Sequence, residues 1–460
     1  MNTTRRTFLA TAAGAAAFPT IIPARVLGAD APSRKVHVAQ IGCGRIGRDM
    51  DAIGFLRAKD CKVVAFCDLD SRRLDGMAKW ADGVYAARHE PRVAFTCVRD
   101  FHELLGRSDV DAVSISTPDH WHAQIAVEAA FAGKHVYMQK PASLTIREGR
   151  IFSNAVNENG RIFLLGSQQR STEQFIAACE YVRSGRLGTV RRIEIGLPGD
   201  PAGGRTAEMP VPPNLDYDFW LGSTPQVYYT EDRVHSQTSL SARPGWLRCE
   251  QFGAGMITGW GSHHLDIAHW AMGWEKTGPK SISGKGVFPT KGLWDVHGDY
   301  DIHLTYPGGV DMHVWDKYPN GVRFIGDEGW IFVSRGAAKM TASDPVAPGR
   351  PLKALDASDP KLIQGAPSVR LYRHGLVHHQ HFVDCVLRSR ESIVPAETAH
   401  RSCSACLLSW IGMKLGRRLE WDAAAERFVN DPEADALLER AERAPYGAKR
   451  AYERLSGKKA

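Results

Sequence analysis

Four short stretches hold residue types whose spacing could do chemistry. Gly42-x-Gly44-x-x-Gly47 ends an apolar run that begins at Val36, and an amphipathic segment from Ile46 to Ala58 follows it. Gly42 permits a tight turn, Gly44 lets the backbone approach a pyrophosphate, and Gly47 lets a helix pack close to a strand. The start of that helix offers unpaired N–H groups and a positive dipole end, which assigns Gly42, Gly44, Arg45, Ile46 and Gly47 to phosphate binding. Asp68 closes a second apolar run, Lys62–Cys67, twenty-one residues after Gly47. A carboxylate there accepts from both ribose hydroxyls of NAD and repels a 2′-phosphate, although Ser71, Arg72 and Arg73 leave room for NADP.

The second stretch is Thr117-Pro118-Asp119-His120-Trp121-His122, directly after the strand-like Ala112–Ser116. Ligands of open parallel sheets bind beyond the C-terminal strand ends, so Thr117, Pro118 and His122 are placed to touch the nicotinamide half of the cofactor. The third is Lys140-Pro141, which follows the buried run His135–Met138 at the same edge. An ammonium near a positively charged nicotinamide ring has a lowered pKa, which suits proton exchange with a hydroxyl. In the fourth, a glycine-rich loop from Gly253 leads into a helix bearing His263, His264, Asp266 and His269. Two histidines and an aspartate so close read either as a metal site or as a catalytic base with an orienting carboxylate. Their spacing matches no recognised zinc pattern, and no metal is assigned.

These residues need elements to hold them. From Lys35 to about Met138 strand and helix alternate, with a helix at His122–Ala132 that Gly133 ends. Such alternation means an α/β fold with a parallel sheet wound on both faces. Thr145-x-x-Glu148 and Ser171-x-x-Gln174 read as capping boxes that open further helices. The first domain is expected at 34–156 and the second at 157–460. Residues 196–255 are rich in Pro, Gly and aromatics, as long loops over a site would be. Between Ser281 and Ser334 several strand-like runs with glycine turns predict a large, mostly antiparallel sheet. Residues 345–368 read as a surface excursion and the last forty as a charged wrapping tail.

At 460 residues two domains are the default, and 43% apolar with 24% charged residues describes a globular protein. The formal charge of +7 is modest, and no basic run interleaved with aromatics marks a nucleic-acid face. Residues 1–31 are set apart. Arg5-Arg6 precedes an alanine-rich apolar stretch too short to span a membrane, and Ala29-Asp30-Ala31 offers a cleavage site. This is a twin-arginine export signal, which implies a periplasmic protein folded before export, with no membrane insertion after cleavage. That route accommodates nine cysteines without a disulfide pattern. Cys403-x-x-Cys406 lies in a helical pattern and reads as core packing.

Together the motifs resemble the glucose–fructose oxidoreductase/inositol dehydrogenase family, Gfo/Idh/MocA. The matching features are Gly42–Gly47, Cys67-Asp68, Thr117-Pro118 with His122, Gly133-Lys134-His135-Val136 running into Lys140-Pro141, and the segment ending His263…Asp266. Asp216–Gly222 and His378–Phe382 further resemble a branch of exported members. The resemblance implies a Rossmann domain, then an α/β domain whose open sheet covers the site and mediates dimer or tetramer contacts. It also implies that Lys140 and His263 handle a hydroxyl proton during hydride transfer. Two positions depart from the family pattern: Gln139 replaces the usual glutamate before Lys-Pro, and Gly259 the usual aspartate before the histidine. Asp266 or His264 is the expected compensation.

The expected substrate is a sugar, glycoside or cyclitol, with Trp246, His264 and Arg170 as hydrogen-bonding or stacking partners and Trp121, Trp220 and Trp260 as further aromatic candidates. Since a periplasmic enzyme lacks a nucleotide pool, a tightly held, internally recycled cofactor is expected. Two alternatives stand beside net oxidation: redox-neutral glycoside cleavage by oxidation, elimination and reduction, and a non-catalytic nucleotide- or sugar-binding protein.

Overall fold

A computed structural model describes residues 35–88, 94–336, 353–371 and 377–460. The export stretch lies outside these residues, as does part of the expected excursion. From Val36 onward the chain forms one compact unit.

The first sheet has six parallel strands: β1 (Val36–Ile41), β2 (Cys61–Cys67), β3 (Thr96–Val98), β4 (Ala112–Ile115), β5 (His135–Met138) and β6 (Phe163–Leu165). Their spatial order is β3-β2-β1-β4-β5-β6. The chain therefore reverses direction across the sheet between β1 and β4, and a crevice opens beyond their C-terminal ends. All four residues of β4 are buried, as expected for a parallel strand covered on both faces. Around the sheet pack α1 (Ser71–Ala87), α2 (Asp119–Phe131) and α3 (Ile146–Glu158). The Thr145 box forms, with Thr145 Oγ1 accepting from Glu148 N and Glu148 returning the bond. Helix α2 starts at Asp119, three residues before the expected His122, because Pro118 already serves as its N-cap.

The second sheet has nine strands, built on β7 (Val190–Gly196), β8 (Ser281–Gly286), β9 (Tyr300–Thr305), β10 (Asp311–Trp315), β11 (Gly321–Gly326) and β12 (Gly329–Val333). An edge strand, β13 (Leu355–Ala357), and the pair β14 (Leu419–Asp422) and β15 (Arg427–Phe428) complete it. Only β7 and β10 pair in parallel; the other pairs are antiparallel. Tyr300, Ile302 and Leu304 are buried while Asp301, His303 and Thr305 face outward, the period-two pattern of a sheet covered on one side. The covering helices include α4 (Glu173–Arg183), α5 (Gly261–Met272) and α7 (Ala396–Leu415); α6 (His378–Arg388) packs instead toward β1 and its following helix.

Several expectations change. The boundary at 156/157 falls inside α3, and β6 beyond it still belongs to the first sheet. The Ser171 box does not form: Gln168–Ser171 is a 3₁₀ turn, and α4 begins after Thr172. Ser171 Oγ instead meets His378 Nδ1 at 2.7 Å. Leu355–Ala357 is sheet rather than loose excursion. The tail carries α8 (Ala448–Ser456), which returns to pack on α2 and α3 of the first domain.

Candidate functional site

The glycine turn has the shape its spacing implied. Gly42 sits at φ +92, and a Cβ there would lie 2.5 Å from the Ser116 carbonyl oxygen. A Cβ at Gly47 would lie 2.2 Å from the Gly42 oxygen, so close helix–strand packing demands glycine there. Gly44 faces open space apart from the Arg73 guanidinium at 3.4 Å, which leaves its backbone accessible. Beside it, Asp68 Oδ2 accepts from Cys43 N at 2.7 Å and Oδ1 from Asp70 N at 2.8 Å. Each oxygen keeps a lone pair for a ribose hydroxyl. Burial pushes the Asp68 carboxyl up, while Arg73 and the two backbone donors pull it back.

One cavity runs from this end to Lys140 and His263, lined on the way by Arg45, Ile46, Thr117 and Pro118. Open glycine backbone at one end and a fixed carboxylate at the β2 tip fit a dinucleotide. Lys140 Nζ donates to the Gly259 carbonyl at 2.9 Å. Its pKa is lowered to about 8, chiefly by burial, with Asp119 opposing and Arg335, Arg243 and Arg45 adding to the effect. His263 is buried, and burial pushes it well below its ordinary value, with Arg335 and Lys140 adding to the effect. It is therefore an uncharged imidazole at neutral pH. Among the described residues, its Nδ1 meets no hydrogen-bond partner. Trp246, Trp220, Trp121 and Trp260 also line the cavity.

Other expected site residues lie elsewhere. Asp266 binds Arg170 through two bonds of 2.7 and 2.6 Å, and Ser402 Oγ donates to it at 2.8 Å. This pair is fully buried, and neither residue reaches the cavity. Three residues past His263 on α5, Asp266 sits about 4.5 Å deeper along the helix axis. His264, about 100° further round the helix, turns to Asn320 Oδ1 at 2.6 Å. His263, His264 and Asp266 thus do not converge as a metal site would require. His122 does not line the cavity either. Its Nδ1 lies 2.6 Å from the Pro141 oxygen and its Nε2 2.9 Å from the Thr117 oxygen, so it packs between the two loops and its one ring N–H donates to one of them. His120 is likewise spent on the Trp220 oxygen, at 2.9 Å.

The cavity also gains residues that sequence reasoning had not assigned to it, notably Asp119, Arg243 and Arg335. Asp119 lies inside the Thr117–His122 motif; nothing in the sequence marks the two arginines.

The segment 197–255, after β7, forms a long strap at the Asp68 end. Asp70, beside it, accepts from Asn214 Nδ2 at 2.8 Å and pairs with His235 Nε2 at 2.9 Å. Ser71 N donates to the Asn214 oxygen, and Asp216 N to the Leu69 oxygen. The strap carries a small core of its own, including Tyr217, Trp220, Tyr229 and Phe252.

Residues 36–167 match the profile of an oxidoreductase family with an NAD-binding Rossmann fold. Residues 203–326 and 362–448 match that family's C-terminal α/β domain. The chain is similar to scyllo-inositol 2-dehydrogenase (NAD(+)) of Bacillus subtilis, 25% identical over 65% of this chain and 74% of that protein. It is also similar to a glycosyl hydrolase family 109 protein of Solibacter usitatus, 32% identical over 25% of this chain and 26% of that one. In fold it resembles aldose-aldose oxidoreductase from Caulobacter crescentus, with a TM-score of 0.58 and 19% identity over 84% of this chain and 100% of that one.

Proposed function

This chain belongs to the Gfo/Idh/MocA family of NAD-binding oxidoreductases, and from that membership we propose that it oxidises a ring hydroxyl of a sugar, glycoside or cyclitol. The observation that carries the reading is the single cavity holding the glycine turn and Asp68 at one end and Lys140 with His263 at the other. NAD, when bound, supplies the hydride acceptor. Asp68 holds the ribose, and the Gly42–Gly47 turn holds the pyrophosphate. The amine form of Lys140 takes the hydroxyl proton as the ring carbon loses hydride. His263, uncharged, hydrogen-bonds the same hydroxyl and fixes its direction. The tryptophans offer flat faces to an apolar sugar surface.

The twin-arginine stretch supports export to the periplasm, where free nicotinamide nucleotide is scarce. The strap across Asp70 supports slow nucleotide release. Together they favour a cofactor carried with the folded protein and recharged in the site, by reducing a second sugar. The similarity to a glycosyl hydrolase family 109 protein favours a second reading. In it, transient oxidation acidifies a neighbouring C–H, a glycosidic substituent is eliminated, and the hydride is returned.

Purified protein, incubated with free sugars and glycosides and no added cofactor, should yield an oxidised sugar or a released aglycone. Neither product from a broad panel would sink both readings. Lys140→Ala should abolish turnover and leave the nucleotide bound.

A further inference from the structure

The position four residues before His263, where this family's pattern expects an aspartate, is Gly259. Space is not the reason: a Cβ there would meet only Met256 Sδ, at 3.6 Å. The two residues expected to compensate, Asp266 and His264, are committed to Arg170 and Asn320. A buried amine that gains a proton during turnover still needs a nearby counter-charge, because an uncompensated buried ammonium is costly.

The cavity wall around Lys140 is otherwise cationic. Arg45 comes from the glycine turn, Arg243 from the strap and Arg335 from beyond β12, and all three disfavour an ammonium at position 140. Arg243 has its own partner in Asp200, at 2.9 Å. His263 from α5 and His122 from α2 face the same charge, both held uncharged by burial. One carboxylate opposes this set. Asp119, the first residue of α2, is buried at 4% exposure and lines the same cavity. Its Oδ2 lies 3.3 Å from where a Cβ at Gly253 would stand, so that loop passes close against it. Among the described residues it forms no ion pair with Lys140, and the two line the same cavity. The thiol of Cys403 also feels it.

We propose that Asp119 replaces the absent acid of position 259 as the positioning residue that sets the charge of Lys140, acting from the first domain rather than the second. This rests on Lys140 being the proton acceptor proposed above. In the oxidative direction the hydroxyl O–H bond breaks and its proton forms a new N–H bond on Lys140 Nζ. The carbinol hydride leaves to NAD, and Asp119 stays ionised to balance the new ammonium. Burial pushes the Asp119 carboxyl up and the nearby Lys140 opposes that, so each group stabilises the other's charge.

The test needs no known substrate. Nucleotide-loaded protein is pulsed with acetic anhydride across a pH series, and acetylation of Lys140 is read by peptide mass spectrometry. The labelling midpoint should lie near pH 8 in the parent protein. In Asp119→Asn it should fall by about one pH unit, as loss of a nearby opposite charge requires, and Asp119→Glu should restore it. Asp119→Ser gives the same reading should the amide not fit. An unchanged midpoint in the neutral variants overturns the proposal, as does loss of bound nucleotide from them, which would make Asp119 part of the cofactor's hold. If Lys140→Ala keeps its activity, the proposed function fails. If Lys140→Ala is inactive and the midpoint does not move, only the role of Asp119 fails.

Discussion

Lys140 owes its usefulness to its surroundings. With its pKa lowered to about 8, the amine that accepts a proton is the minor form at pH 7 and the major form at pH 9. Sugar oxidation by the nucleotide-loaded enzyme should therefore rise with pH through about 8 and level off above it, as steady-state rates across that range would show. The reverse slope would assign the proton to another group. Asp266 calls for the opposite kind of expectation. Removing it leaves the Arg170 guanidinium buried and unpaired, a loss of about 3–5 kcal/mol by the general cost of breaking such a pair. Denaturant unfolding of Asp266→Ala should show that loss, with little change in turnover per folded molecule. Lys140 and His263 were legible because each sits beside an unusual local motif. Asp119 carries no such signal, since a carboxylate opening a helix usually serves the helix itself.

At the scale of elements, β3 is too short and too exposed to show a pattern. Most of the first sheet was readable, because β1, β2, β4, β5 and β6 are short apolar runs and several helices carry a start or stop signal. Thr145–Glu148 is the clearest case. Long loops over a site were expected at 196–255, but what the strap grips was not readable. Its hold on Asp70 joins residues such as His235, 165 positions away, and no periodic pattern encodes such a contact. Burial pushes Asp70 up, yet the bonds from His235 and Asn214 outweigh it and leave the carboxyl well below its usual range. Asp70→Ala should release bound nucleotide roughly tenfold faster, since one hydrogen bond to a charged group is worth about 1.5–3 kcal/mol. Fluorescence of protein loaded with NADH, followed after dilution, measures this, and an unchanged rate would separate the strap from retention.

Across the whole molecule, the two sheets are joined by polar contacts near the chain's end. Arg150 on α3 binds Glu397 at 2.6 Å and Glu426 at 2.8 Å, and Arg401 and His400 complete the group. Burial would raise the Glu397 pKa, but Arg150 and Arg401 lower it to about 2. A lowered carboxylate stabilises fully above its ordinary value and loses that contribution as pH falls toward the folded one. The melting temperature should thus drop between about pH 4.5 and pH 2, and Arg150→Ala should flatten that slope. By itself the sequence determined the parallel sheet, the second sheet and the glycine turn, and it singled out Lys140 and His263, because these rest on local patterns of burial, turn geometry and residue type. Only the tertiary structure decided which neighbours serve the site. It withdrew Asp266, His264 and Arg170 into the interior, brought Asp119 and Arg335 to the cavity, and folded the tail back onto the first domain. Those choices depend on contacts between residues far apart in the chain, where the direction of a side chain is set by packing and no local signal records it.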